Sequence, residues 1–174
     1  ARVETGLPAA RTALANGAFA PALPTIASAS ALSNESAPTT LYNAMVAPLV
    51  PYANRGFIWY QGESNRGEGM LYRDKMEALI NGWRSVWNDD DLACYFVQLA
   101  PFNYGNNPEA LAEIWEAQAA AAEMPGAGMA VVNDIGNLSD IHPRNKDDVG
   151  KRLAWLALNK TYGKTDIVCD GPVF

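Results

Sequence analysis

From Pro38 onward the chain alternates between two hydrophobic periods that no single kind of layer satisfies. Three short apolar runs, Gly56-Phe57-Ile58-Trp59-Tyr60, Tyr95-Phe96-Val97-Gln98-Leu99 and Met129-Ala130-Val131-Val132, are separated by segments whose apolar residues recur at helical spacing. Such runs read as strands buried on both faces. Tyr72, Met76, Leu79, Ile80, Trp83 and Trp87 mark one helix, and Leu111, Ile114 and Trp115 after Pro108 mark a second. Val149, Leu153, Leu156 and Ala157 mark a last helix ending near Gly163. Thr39 or Thr40 is placed to cap a further short helix carrying Leu41, Met45 and Leu49 on one face. Strict alternation of helix and strand predicts an α/β fold. Parallel strands need crossovers, and the helices supply them while covering both faces of the sheet.

In open parallel sheets, ligands bind beyond the carboxyl ends of the strands. Each predicted strand here runs straight into polar residues: Gln61-Gly62-Glu63-Ser64-Asn65, then Pro101-Phe102-Asn103, then Asn133-Asp134 and the loop that holds His142, the only histidine. Glycine permits a sharp turn after the first strand, and the residues around it offer donors and acceptors in a small volume. A glutamine amide at a strand end can donate to an oxyanion. Turn chemistry, with Ser64 or Asn65 capping the next helix, is the plainer reading on spacing alone. Ser64 is a poor candidate nucleophile, because Arg66 breaks the G-x-S-x-G elbow.

Histidine is the side chain best suited to exchange protons near neutral pH, and a serine nucleophile needs such a base, itself oriented by an acceptor. Asp140 stands close enough in sequence to orient His142, as does Asp134, and Pro143 stiffens the loop. A lone loop histidine without further context is more often an ordinary surface residue. Arg144 and Lys146 could meet an anionic substrate, although solvated charge is their plainer reading.

The composition, 49% hydrophobic and 18% charged over 174 residues, is that of one globular domain. No apolar run reaches bilayer-spanning length. A net charge of −6 argues against a nucleic-acid partner, which requires clustered Lys and Arg. Asp89-Asp90-Asp91 reads as a solvated turn, and the Trp83–Trp87 stripe as core. One histidine cannot build a multi-histidine metal site. Cys94 and Cys169 permit one disulfide that their spacing does not require. Residues 1–37, rich in Ala, Pro, Ser and Thr, read as a linker or wrapping segment, and 38–174 as the folded portion. The start at Ala1, with neither initiator Met nor signal segment, reads as a processed chain or a fragment.

Five motifs then follow in one order: Trp59-Tyr60-Gln61-Gly62-Glu63-Ser64-Asn65, Trp83-Arg84, Val97-Gln98-Leu99-Ala100-Pro101-Phe102, Asp134-Ile135-Gly136 and Asp140-Ile141-His142-Pro143. Together with Pro38-Thr39-Thr40-Leu41-Tyr42-Asn43 they resemble the sialate O-acetylesterase family, part of the wider SGNH (GDSL-like) hydrolases and related to carbohydrate esterase family 6. The resemblance runs from about Pro38 to the C-terminus. It implies a three-layer α/β/α esterase with a flavodoxin-like parallel sheet. Such an enzyme hydrolyses acetyl esters on the sugar hydroxyls of an acetylated carbohydrate by a Ser-His(-Asp) mechanism. It needs no cofactor or metal, no nucleic acid and no membrane, and it works in a periplasmic or secreted setting.

By the family pattern His142 is the catalytic base, and Gln61 takes the place of the superfamily's block-three asparagine as oxyanion donor. Glu63 and Asn65 support that loop or touch the sugar. Asp140 is the candidate orienting acid, although the usual position, three before the histidine, holds Ser139; Asp134 and Glu63 stand as alternatives. The family nucleophile belongs to a Gly-Gln-Ser-Asn motif on the first strand, and Ser33-Asn34 and Ser64-Asn65 lack the preceding Gly-Gln. The resemblance therefore implies a sheet lacking its first, nucleophile-bearing strand in this chain. That strand would come from an N-terminal segment or a second chain, leaving this chain alone nearly inactive. A rival reading is a non-catalytic carbohydrate-binding or assembly module that keeps the fold. The missing serine favours it, while the joint presence of Gln61, Glu63 and His142 opposes it.

Overall fold

The computed structural model describes residues 12, 13, 15–17, 39–50, 52–105 and 107–171. The chain divides into two compact units, Ala1–Pro51 and Tyr52–Phe174. Most of the expected 1–37 linker lies outside the described residues. In the first unit a π-helical turn, Tyr42–Val46, passes into a 3-10 turn, Ala47–Leu49, with no buried residue in either. This corrects the expected capped helix. Leu41, Met45 and Leu49 are exposed, and no side chain caps the segment. Pro48 has no N–H to give to the preceding turn, so a regular helix cannot continue through it.

In the second unit β1 (Gly56–Trp59), β2 (Ala93–Val97) and β3 (Ala127–Ala130) form a parallel sheet in that order. Phe57 stands opposite Cys94, and Tyr95 opposite Gly128. Helices α1 (Leu71–Trp87) and α2 (Glu109–Ala122) cover one face, where Tyr72, Met76, Ile80, Ile114 and Ala117 close over Cys94 and Phe96. Helix α3 (Lys146–Leu156) covers the other, with Leu156 against Tyr95 and Ala130, and Val149 against Val97 and Val132. The result is the three-layer α/β/α arrangement that the alternation predicts. Tyr72, Met76 and Ile80 of the stripe lie in the core as expected, whereas Trp83 and Trp87 are half-buried and pack ring on ring with Phe57 at its margin.

Every residue of β2 is buried, which is why its sequence reads as a continuous apolar run. β1 lies at an edge of the sheet, and its Ile58 is 68% exposed. β1 begins at Gly56, as its run does, but the other two ladders begin earlier than their apolar runs suggest, at Ala93 and Ala127. Small residues carry little hydrophobic signal yet are required there. A β-carbon at Gly128 would come within 3.1 Å of the Tyr95 ring and 3.2 Å of Leu156.

α1 stops at Asn88, whose left-handed backbone returns its N–H to Arg84 O and Ser85 O. The acidic turn follows, with Asp91 N donating to Asp89 Oδ1 at 3.0 Å. Beneath it the buried Arg84 donates to Leu92 O at 3.1 Å and Pro125 O at 2.6 Å, tying the amino ends of β2 and β3 to α1. Both cysteines are free thiols; burial pushes Cys94 up to about 12, so it is an inert core residue.

Candidate active site

The carboxyl ends of the strands carry the candidate residues, and α2 side chains mark where the first of them turns away. Beyond Trp59 the β1 chain leaves the sheet, and α2 side chains take over its hydrogen bonds. Leu99 N donates to Gln118 Oε1 at 2.8 Å, Gln118 Nε2 donates to Val97 O at 3.3 Å, and Trp115 Nε1 donates to Leu99 O at 2.7 Å. These groups are buried, and a buried backbone amide without a partner costs about 1–3 kcal/mol. Gln118 thus keeps β2 satisfied while freeing Gln61 to face the strand ends.

The loop that follows is fastened by its own side chains. Gln61 Nε2 donates to Asn65 Oδ1 at 2.7 Å, and Asn65 Nδ2 donates to Glu68 Oε2 at 3.0 Å. Glu68 in turn pairs with Lys75 at 2.6 Å, and the lysine, then Asn65, hold its carboxyl below the usual range. From α1, Tyr72 OH lies 3.0 Å from Gln61 O and 3.3 Å from Gln61 Oε1. Gly62 N donates to Glu63 Oε2 at 3.2 Å. Residues Glu63–Glu68 form a 3-10 turn without a side-chain cap, and Ser64 is exposed.

The β2 end runs through Pro101, Phe102 and Asn103 to Tyr104, and it is joined to the loop after β3. Asn103 N donates to Leu138 O at 3.0 Å. Gly136 lies so close to Pro101 that a β-carbon there would overlap the proline ring. Phe102 and Tyr104 meet edge to face at 5.0 Å, and the Arg66 guanidinium lies 3.9 Å above the Tyr104 ring. Tyr60 and Tyr104 both have raised pKa values, chiefly through burial and then through the charge of Glu63.

The loop after β3 is held through its backbone. Asn137 Oδ1 accepts from Ser139 N at 2.9 Å, and Asp140 Oδ1 accepts from His142 N at 2.9 Å. Pro143 is buried and His142 exposed; among the described residues the imidazole has no hydrogen-bond partner. Asn145 then caps α3 by accepting from Asp148 N at 3.2 Å. The next residue, Lys146, sets its ammonium 5.0 Å from the Tyr60 ring, so the start of α3 approaches the end of β1.

Asp134, an alternative partner for His142, is engaged elsewhere: Arg152 grips both its oxygens at 2.6 Å, and this pairing lowers its pKa to about 2. Gln61, Glu63 and Asn65 thus share one loop and Asp140 and His142 another, at the same edge of the sheet. No hydrogen bond joins the imidazole to Asp140, Asp134 or Glu63. Gln118 and Arg152 lay outside the sequence reading, which placed Tyr72 and Trp115 on their helices without their role as supports. The signal for Gln118 was present, since it is the polar member of the face formed by Ile114, Ala117 and Ala121.

A parallel sheet between helical layers, with an amide-bearing loop after one strand and a histidine loop after another, is the layout of an SGNH-type α/β/α hydrolase domain. The chain belongs to the family described as carbohydrate esterase, sialic acid-specific acetylesterase, whose profile matches residues 3–159. It is similar to the sialate O-acetylesterase of Rattus norvegicus, 32% identical over 157 residues, covering 78% of this chain and 28% of that protein. The Homo sapiens sialate O-acetylesterase is 30% identical over 168 residues, covering 78% and 29% respectively. Among solved structures, a carbohydrate acetylesterase from Xanthomonas citri matches with a TM-score of 0.75 and 37% identity, over 95% of this chain and 42% of that one. The chain therefore spans less than a third of the curated relatives and under half of the structural neighbour.

Proposed function

We propose that this chain is the histidine-bearing portion of a carbohydrate O-acetylesterase, acting on acetylated sugars of the sialate type. The observation that carries the reading is that the Gln61 and His142 loops leave the same edge of the parallel sheet, with Lys146 at the start of α3 over the Tyr60 ring. The nucleophilic serine comes from a segment outside this chain. Its strand would pair along the outer edge of β1, where the described residues offer no other partner. The serine oxygen attacks the acetyl carbonyl while His142 takes its proton. Gln61 Nε2 has one N–H on Asn65 and another to give, and with backbone N–H groups it receives the oxyanion. The imidazolium returns the proton to the departing sugar oxygen, leaving an acetyl-serine. Water, deprotonated by His142, then releases acetate and restores the serine.

Asp140 is the orienting carboxylate in this reading. One oxygen fastens the His142 turn, and the other carries no hydrogen bond among the described residues. Asn65 supports Gln61, and Glu63 lies at the sugar side. Acetate release from an acetylated sugar by the full-length protein tests the proposal. The reading expects turnover by that protein, abolished in His142→Ala, and almost none from residues 1–174 alone. Sugar binding by the full-length protein without any acetate release would instead establish the non-catalytic module.

A further inference from the structure

Gln61, Asn65 and Glu68 stand in one hydrogen-bonded row along the first loop, and Lys75 of α1 closes it. These side chains differ in what they can do at a hydrogen bond. An amide is ambivalent, since a half-turn exchanges its oxygen for its NH2 and leaves its shape unchanged. An ionised carboxylate only accepts, and an ammonium only donates. Lys75 Nζ lies 2.6 Å from Glu68 Oε1; this contact, then the bond from Asn65, holds the Glu68 carboxyl below its usual range and so ionised at neutral pH. Its other oxygen therefore takes Asn65 by the NH2 side, at 3.0 Å. Asn65 is left with Oδ1 to offer, so Gln61 turns Nε2 to it, at 2.7 Å.

The other contact of the Gln61 amide does not choose between the two orientations. The Tyr72 hydroxyl lies 3.0 Å from Gln61 O and 3.3 Å from Gln61 Oε1. With its proton on Oε1 it donates to the amide, and with its proton on the backbone carbonyl it is free to accept from it. Glu68 is the member of the row that cannot reverse. The direction matters at a strand end, because an amide N–H stabilises developing negative charge there and an amide oxygen repels it.

We infer that Glu68 is a positioning residue: its carboxylate fixes the polarity of the Asn65–Gln61 row, so that Gln61 turns an N–H rather than its oxygen to the carboxyl ends of the strands. This role rests on the esterase reading and supplies what orients its oxyanion donor. Both Glu68 oxygens are engaged, by Lys75 and by Asn65, so Glu68 acts through Gln61 and not on the substrate.

The test uses the full-length protein and variants of nearly unchanged shape. In Glu68→Gln, Lys75 keeps the new amide oxygen, the new NH2 turns to Asn65, and the whole row reverses. Acetate release should then show kcat lowered by about ten- to a hundredfold, towards the loss of one oxyanion donor, with KM little changed. In Asn65→Asp/Glu68→Gln the acceptor-only group has moved one place along the row. It accepts from the new amide on one side and from Gln61 Nε2 on the other, so kcat recovers most of the loss. Asn65→Asp alone sets two carboxylates against each other and falls below the double variant. An undiminished kcat in Glu68→Gln overturns the inference, as does a double variant worse than either single one, which is what a merely structural Glu68 produces. Absence of acetate release from the wild type would instead overturn the esterase reading. The polarity is then read by NMR from the nitrogen-15-labelled Gln61 side-chain amide, assigned by its loss in Gln61→Ala. Its resonance should shift in Glu68→Gln and return in the double variant; a resonance unmoved by Glu68→Gln would sink the inference whatever the activity.

Discussion

The loop after β1 and the loop after β3 each present one candidate catalytic group, and they are built by opposite means. Gln61 is held at both ends of its amide, by Asn65 and by Tyr72, and Asn65 is anchored in turn through Glu68 to Lys75. His142 has a fixed backbone, through Asp140 and the buried Pro143, but an imidazole with no hydrogen-bond partner among the described residues. The contrast suits the proposed roles. An oxyanion donor is effective only if it is aligned before charge develops, since reorganising it during the reaction would raise the barrier. A general base is completed by its nucleophile, because the serine hydroxyl is one of the two hydrogen bonds that orient the ring.

The largest test of that contrast is His142→Ala in the full-length enzyme. Turnover should fall by about 10⁶-fold, whereas the urea midpoint should move little, because an exposed unbonded ring contributes within about 0.5 kcal/mol. A substantial loss of stability would show that the histidine loop is as interlocked as the glutamine loop.

Next is Gln61→Ala, for which kcat should drop by about 10²–10³-fold. Tyr72→Phe removes one of the two restraints and should lower kcat less, with KM unchanged. If Tyr72→Phe left acetate release untouched, prealignment of the amide would not matter.

A third test moves to the support beneath the first loop. Gln118→Ala leaves Leu99 N and Val97 O without partners, at about 1–3 kcal/mol for each group. Thermal or urea unfolding should record that loss. A change below 0.5 kcal/mol, about that of a surface substitution, would mean that water or a backbone shift replaces the amide.

The smallest expected effect concerns the β3 loop. Asp134 has a folded-state pKa of about 2 against an ordinary 3.8, because Arg152 stabilises the ionised carboxylate. The folded value is the lower one, so the pair's contribution is present above about pH 4 and lost as pH falls towards 2. Asp134→Asn should flatten the pH dependence of the urea midpoint across that window, and salt should shrink the difference. Equal slopes in wild type and variant would show that the pair adds nothing to the loop's anchoring.

Much of the architecture was legible because it depends on short-range periodicity. The α1 stripe from Tyr72 to Trp87 and the buried run of β2 were plain, as was the placing of polar residues just after strands. The misreadings have the same origin. Ala93, Ala127 and Gly128 carry no hydrophobic signal, so the strand starts were missed. Leu41, Met45 and Leu49 do recur at helical spacing, but Pro48 interrupts the backbone bonding that the spacing presupposes. At the site, the residue types of Gln61, Asn65, Asp140 and His142 were visible from their positions after strands. Their partners were not, since Tyr72 reaches Gln61 across a turn and Arg152 reaches Asp134 from a different element.

By itself the sequence determined the order of helices and strands and the edge of the sheet at which the polar candidate residues lie, because a residue's place in a 2.0 or 3.6 period is a local property. Only the tertiary structure decided which polar groups are already satisfied and which are left open. Gln118 takes up Leu99 N and Val97 O beyond the end of β1, Arg152 occupies Asp134, Arg66 lies on the Tyr104 ring, and the His142 ring has no hydrogen-bond partner among the described residues. Hydrogen bonding between groups far apart in the chain is settled by distances of a few tenths of an ångström. No spacing along the sequence encodes those distances.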